Sequence, residues 1–253
     1  MKILITCPPM LKMIDQFSSY LKKKKINFYA PNIKQKMSEN NLIKIISNFD
    51  GWIIGDDSAT QAIIRKGSSG KLKAIVKWGV GIDNIDIDAC KDYKIRFTNT
   101  PNMFGSEVAD VALGYLIALS RETFKIDREI RLGKWPKPQG ISLKNKKVAL
   151  IGYGDIGKKT ASRLISCEMK VTIYDPYIKY LEKKPNIIHE IWPKKIHEAD
   201  FIVITSSLNS SNYHMINKKI LDKCKDGVRI VNVSRGQIID ERSLIMALKS
   251  RKV

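Results

Sequence analysis

The chain has 253 residues, of which 45 are Lys or Arg and 25 are Asp or Glu, giving a formal net charge of +20. Its hydrophobic fraction of 43% is enough for one large core or two smaller ones, and charges interrupt every apolar run before it reaches membrane-spanning length. The four cysteines, Cys7, Cys90, Cys167 and Cys224, are scattered with no Cys-x-x-Cys pair, which excludes a zinc ribbon or a disulfide framework and points to a reducing, cytoplasmic setting.

In chain order, residues 2–6 read as a strand rather than as a secretory signal. A helix is expected over 10–24. It ends on the lysines at 22–25, the one dense basic block, where cations suit the negative end of a helix dipole. Elsewhere the basic residues are spread over solvated faces, and no aromatic residues alternate with them as a base-stacking platform requires. Neither a nucleic acid nor a membrane is therefore expected as a partner. Strands at 52–54, 74–77 and 96–99 and helices near 39–47 and 59–65 follow. Short apolar strands alternating with polar helical stretches predict a parallel sheet covered by helices. Residues 1–100 are thus expected to form a first α/β unit and residues 101–253 a second.

A longer helix is expected over 106–122, because Val108, Val111, Ala112, Tyr115, Leu116 and Leu119 recur at spacings of three and four and should bury one face. A loop with two prolines at 133–140 leads to the most informative stretch. An apolar strand over 148–151 runs into Gly152, Gly154 and Gly157. A helical segment carrying Ile156, Leu164 and Ile165 on one face comes next, and a second apolar strand from Val171 ends on Asp175. Strand, glycine turn, helix, strand and acid in that order make up the dinucleotide-binding fingerprint. Gly152 permits the tight turn, Gly154 lets the backbone approach a pyrophosphate at a helix N-terminus, and Gly157 lets that helix pack close to the strand. Asp175 would accept hydrogen bonds from the adenosine ribose and repel a 2′-phosphate, so the expected cofactor is NAD. Strands at 201–205 and 228–233, and helices at 218–223 and 241–248, complete the second unit.

Three more stretches carry information. Residues 78–86 place Gly79 and Gly81 close together after a strand. Residues 99–110 open the long helix. Residues 231–241 put Arg235 just past the carboxyl end of a strand. With the fingerprint in the same order, and with Gly133, Lys134 and Trp135 before it, the chain resembles the D-2-hydroxyacid dehydrogenase family over nearly its whole length. The resemblance implies an α/β fold of two doubly wound parallel-sheet domains: a flavodoxin-like substrate-binding unit and a Rossmann NAD-binding unit.

The resemblance also implies roles. Arg235 corresponds to an active-site arginine, whose planar fork can hold a substrate carboxylate and polarise the neighbouring carbonyl. The alternative for Arg235 is a structural pair with Asp240 or Glu241. Val80 and Gly81 correspond to a loop whose backbone N–H groups meet the substrate carboxylate, the alternative being a plain glycine turn. Tyr153, Asp155 and Ile156 fall along the pyrophosphate. Ser206, Val233 and Ser234 fall along the adenine and nicotinamide ends. Asn84 and Asp86 are expected to fix the loop between the units, and Glu107 and Asp110 to suit a helix dipole. Trp78, Met103 and Phe104 are expected either to line the substrate pocket or to pack at the surface. His189, His197 and His214, the only histidines, are expected to be structural or exposed. A homodimer is implied through the 106–122 helix.

The family places a glutamate one strand beyond the arginine and a histidine after a further strand. Residues 236–253 hold no histidine and no further strand with a glutamate beyond it, so the sequence reads as an incomplete piece of a working dehydrogenase on small 2-hydroxy or 2-keto acids. The competing reading is a non-catalytic NAD-binding interaction protein, since the same family contains nucleotide-responsive corepressors.

Overall fold

The computed structural model describes residues 1–181 and 184–253. The chain divides into two units, Met1–Met103 and Phe104–Val253.

In the first unit the elements run β1 (Lys2–Ile5), α1 (Pro8–Lys12), α2 (Ile14–Lys23), β2 (Asn27–Tyr29), α3 (Glu39–Ile45), β3 (Gly51–Ile54), α4 (Gln61–Ser68), β4 (Ala74–Lys77), α5 (Ile87–Asp92) and β5 (Arg96–Thr98). The sheet order is β2-β1-β3-β4-β5, and every pairing is parallel. This is the flavodoxin-like doubly wound order. Period-two alternation sends Leu4, Trp52, Ile54 and Ile75 to one face, under Leu42 of α3 and Ile63 and Ile64 of α4. Ile3 and Ile5 go to the other face, with Met10 and Leu21.

The second unit runs α6 (Gly105–Arg121), α7 (Thr123–Arg131), β6 (Lys147–Ile151), α8 (Asp155–Ser166), β7 (Lys170–Tyr174), β8 (Ile187–His189), β9 (Phe201–Ile204), α9 (Lys218–Lys223), β10 (Arg229–Asn232) and α10 (Glu241–Lys249). Its sheet is also parallel, in the order β10-β9-β6-β7-β8, with β6 central. Both faces are covered, which is why β6 and β9 read as continuous apolar runs. Ala149, Ile151, Ile202 and Ile204 face α9 and α10. Val148, Leu150, Phe201 and Val203 face Ala112 and Leu116 of α6 and Ala161 and Leu164 of α8.

The structure departs from the sequence expectations at identifiable points. The 10–24 helix is two helices that meet at Met13, whose φ of −115° and ψ of 20° lie outside the helical region. β2 and β8 carry no strong signal because each has three residues and mostly exposed positions. Glu122 adopts a left-handed conformation with φ 54° and separates α6 from α7, a helix the periodicity did not suggest. The expected apolar stripe of α6 also divides. Ala112 and Leu116 are buried, whereas Val111, Tyr115 and Leu119 are 47%, 47% and 41% exposed. The buried stripe is instead Ala109, Ala112, Leu116 and Ser120. Small residues there let α6 lie close against α8, which leaves the larger side chains of α6 facing outward. No helix of the described residues is long and apolar enough to cross a membrane.

Candidate functional site

The β6–α8 turn has the geometry that its glycines foretell. Gly152 has φ 94°, and a Cβ there would lie 2.6 Å from the backbone of Ser206. A Cβ on Gly157 would strike the Gly152 carbonyl. Gly154, the N-cap of α8, has open space in front of it instead, room that a ligand backbone or phosphate can enter. No side chain caps α8, so its first N–H groups remain available to an anion. The Thr205 hydroxyl braces the turn from below, donating to Ile151 O at 3.1 Å and Gly152 O at 2.9 Å.

Asp175 follows β7 directly. One carboxylate oxygen accepts the Tyr153 N–H at 2.7 Å and the other accepts the Tyr177 N–H at 2.9 Å. The carboxylate is thereby fixed, while each oxygen keeps a lone pair for another donor. It stands on the wall of a cavity of about 660 Å³ at the carboxyl ends of β6, β7 and β9. Gly152, Gly154, Asp175 and Ser206 line that cavity, as do Tyr174, His189, Trp192, Asn212 and Met215, which sequence reasoning missed. Trp192 meets the Tyr174 ring edge-on, with centroids 5.1 Å apart. The Tyr174 hydroxyl donates to Lys194 O at 2.5 Å. Burial, together with Glu190 and Glu198, pushes its phenol well above the ordinary tyrosine range, so the wall stays neutral at that point. Apolar rings with a few fixed polar groups suit a flat heterocycle with a sugar attached. His189 is exposed yet reaches this wall, with Nε2 3.0 Å from Asp175 O.

Other expected cofactor residues lie outside the cavity wall. The Asp155 carboxylate pairs with Lys159 at 3.0 Å and has its second oxygen buried without a partner against Gly105, the first residue of α6. Tyr153 and Val233 are partly buried and pack against the core between the sheet, α6 and α8. Ile156 accepts the Thr160 hydroxyl at its carbonyl, inside α8. Ser234 donates its hydroxyl to Ser206 O, so these two residues join the ends of β9 and β10.

Arg235 stands just past β10, where ligands approach a doubly wound sheet. Its carbonyl accepts from Asn232 Nδ2 at 2.9 Å, and its guanidinium donates to Ser234 O at 3.3 Å. Asp240 is occupied as the N-cap of α10, accepting from the Arg242 N–H at 3.2 Å and the Ser243 hydroxyl at 2.6 Å.

In the first unit, the loop after β4 is held at three points. The Gly79 N–H donates to Thr100 Oγ1 at 3.0 Å, the Thr100 N–H to Gly79 O at 3.1 Å, and Asn99 Nδ2 to Val80 O at 2.8 Å. Among the described residues the N–H groups of Val80 and Gly81 find no acceptor. Adjacent backbone N–H groups without an acceptor are the kind of donors that bind an anion where they converge. Asn84 and Asp86 make local ties within the first unit. Asn84 Nδ2 donates to Gly55 O at 3.0 Å and Asp57 O at 2.5 Å, and Asp86 caps α5 by accepting the Ala89 N–H at 2.8 Å. Trp78 packs edge-on against Phe17 at 5.7 Å as part of the unit's core, while Met103 is exposed.

Fold and turn together define a two-unit α/β protein with a dinucleotide cradle, the architecture of NAD-dependent dehydrogenases. A family model for the D-isomer specific 2-hydroxyacid dehydrogenase NAD-binding domain matches residues 113–253, and the chain belongs to that family. A hydroxypyruvate reductase of Thermotoga maritima is 34% identical over 222 residues, covering 87% of this chain and 71% of that protein. Human D-3-phosphoglycerate dehydrogenase is 31% identical over 226 residues, covering 86% of this chain. The match takes in 41% of the human protein's length. The structure of an NAD⁺-bound 3-phosphoglycerate dehydrogenase from Entamoeba histolytica superposes with a TM-score of 0.78 at 28% identity, over 100% of this chain and 78% of that one. The family is one of NAD-dependent oxidoreductases of 2-hydroxy acids, and the second unit is its NAD-binding domain.

Proposed function

We propose that this protein interconverts a small D-2-hydroxy acid and the matching 2-keto acid with NAD as the redox partner. The carrying observation is the pair of acceptor-free N–H groups at Val80 and Gly81, in a loop that Thr100 and Asn99 hold still. Such a pair binds one carboxylate. Bound NAD would supply the hydride exchange at C2 that interconverts the keto acid and the hydroxy acid. Arg235, on the second unit, offers a planar fork suited to a substrate carboxylate and to the negative charge that grows on the C2 oxygen during reduction. Asp175 holds the adenosine ribose, and the open N-terminus of α8 takes the pyrophosphate with Tyr153, Asp155 and Ile156 along its turn. Ser206, Val233 and Ser234 support the ring ends.

The protein as it occurs in its own cells, with NADH, should reduce at least one of hydroxypyruvate, glyoxylate and pyruvate. Arg235→Ala should cut kcat/KM by at least about a hundredfold, the scale of losing a preorganised charge donor. Tight NADH binding with no turnover of any of the three would reject the enzyme reading.

A homodimer is the proposed assembly. Val111, Tyr115 and Leu119 on α6 and Phe124 and Ile130 on α7 are exposed on one unit, and Tyr115 and Phe124 lie 6.5 Å apart as a common patch. Contiguous apolar surface of this kind marks an association site. The four free thiols suit a reducing compartment, and a cytoplasmic location is proposed on that ground. No nucleic-acid or membrane partner is proposed.

A further inference from the structure

His189 is the last residue of the edge strand β8, and it lines the same cavity as Asp175. Its Nε2 lies 3.0 Å from the Asp175 carbonyl oxygen. A carbonyl oxygen only accepts, so Nε2 carries the proton, and in a neutral imidazole Nδ1 is then an acceptor. No donor reaches Nδ1 among the described residues. The tautomer is thus set by the backbone of the residue whose carboxylate stands on the cavity wall. The other carboxylate and amide oxygens of that wall are engaged. Glu190 pairs with Lys194 at 2.9 Å and Lys195 at 2.6 Å. Asn212 Oδ1 accepts the Asn209 N–H at 2.8 Å, and Asn209 Oδ1 accepts the Ser211 N–H at 2.8 Å and its hydroxyl at 2.6 Å. Those donors also fix which end of the Asn209 amide is nitrogen. Its Nδ2 is left over, a donor with no partner among the described residues. Two residues of the wall therefore keep an open group, an acceptor on His189 in β8 and a donor on Asn209 after β9.

We propose that His189 is a specificity-determining residue for the base of the dinucleotide, its Nδ1 accepting a hydrogen bond from the 6-amino group of adenine. The inference rests on the reading of Asp175 as the ribose site and names the base that the same cavity selects. The base is joined to the ribose carbon next to the hydroxyls that Asp175 takes, and the imidazole is tied to Asp175 itself, so base and imidazole are neighbours in one cavity. A 6-amino group is a donor and matches Nδ1. A 6-keto group is an acceptor and meets Nδ1 lone pair to lone pair. The ring cannot change tautomer to suit it without giving up the bond to the Asp175 carbonyl. Asn209 stands on the β9 side, with β6 and β7 between the two strands, and its Nδ2 has the opposite preference, for a 6-keto group. The two residues predict opposite signs for one comparison.

The test titrates the full chain with NADH and with deamino-NADH, which carries hypoxanthine, a 6-keto base, in place of adenine. The reduced nicotinamide gives both the same fluorescence. Wild-type protein should bind NADH about three- to tenfold more tightly, the scale of one exchanged hydrogen bond. H189F keeps a flat ring and removes the acceptor at an exposed position. It should weaken NADH to the level of deamino-NADH, bringing the ratio close to one with the melting temperature held. A histidine that only shapes the wall would weaken both dinucleotides alike and leave the ratio as it stands. A wild-type ratio of one, or a ratio unchanged in H189F, would overturn the proposal. Tighter binding of deamino-NADH would overturn it too and assign the base to Asn209. Should H189F not fold, the wild-type ratio decides. Wild-type protein that binds neither dinucleotide would instead overturn the NAD reading of the cavity, and the role of His189 with it.

Discussion

At the scale of single residues, the cradle works because a few groups are committed to one partner each. The Asp175 carboxylate takes the Tyr153 and Tyr177 N–H groups, which removes its rotational freedom before any nucleotide arrives. A preoriented acceptor loses less entropy on binding a ribose diol. Asp175→Ala should therefore weaken NADH by about tenfold or more, the scale of a lost charged hydrogen bond. It should weaken NADPH much less, because the repulsion of a 2′-phosphate goes with the carboxylate. Fluorescence titrations with both nucleotides would check this, and equal losses for the two would count against Asp175 as the selecting residue. The sequence pointed to Asp175, Gly152 and Gly157 because each is forced by its immediate neighbours. It could not reveal Tyr174, Trp192 or Met215 as walls of the same cavity. These lie far apart along the chain and resemble ordinary core residues until the sheet order brings them together.

At the scale of elements, the second sheet is pinned at its amino end by one aspartate. Asp200, just before β9, accepts the Lys147 N–H that opens β6 at 2.8 Å and pairs with Lys225 at 2.8 Å. Burial alone would raise this carboxyl, but the Lys225 ammonium and the Lys147 N–H outweigh it and hold it below the usual carboxylate range. A depressed folded-state value means stability that is complete above the unfolded carboxylate's range and lost as pH falls through the folded value. Asp200→Asn should cost about 1–2 kcal/mol at pH 7. The gap between wild type and variant in urea midpoint should close as the pH drops below that of an ordinary carboxylate. A gap that persists into strong acid would assign the loss to packing rather than charge. The α6–α8 contact carries a related lesson. Spacing of three and four identified α6 as a helix with a buried face, but not which face. Side-chain size decided that, since Ala109 and Ala112 permit close approach and Val111 and Tyr115 do not.

At the scale of the whole molecule, two parallel five-stranded sheets belong to two separate units. The exposed apolar patch on α6 and α7 lies wholly on the second. Leu119→Asp should convert a dimer to a monomer in light scattering without lowering NADH affinity, since no cradle residue lies on α6. A wild-type chain that is monomeric at micromolar concentration would exclude the homodimer. Both sheet orders were legible as a class, parallel and doubly wound, from alternation of strands and helices. The short edge strands β2 and β8 were not, because three partly exposed residues leave no hydrophobic pattern to read.

The sequence by itself determined the family, the NAD cradle and the place of Arg235. All three rest on local order along the chain, where a strand, a glycine turn and a helix constrain one another within a few residues. Tertiary structure alone decided what the remaining polar groups do. Asp155 turns to Lys159 and Gly105, Asp240 serves a helix cap, and Lys77 lies buried under the Gly79 loop. A side chain's partner depends on which strands are neighbours, and strand order is set by the packing of two whole faces rather than by any stretch of sequence.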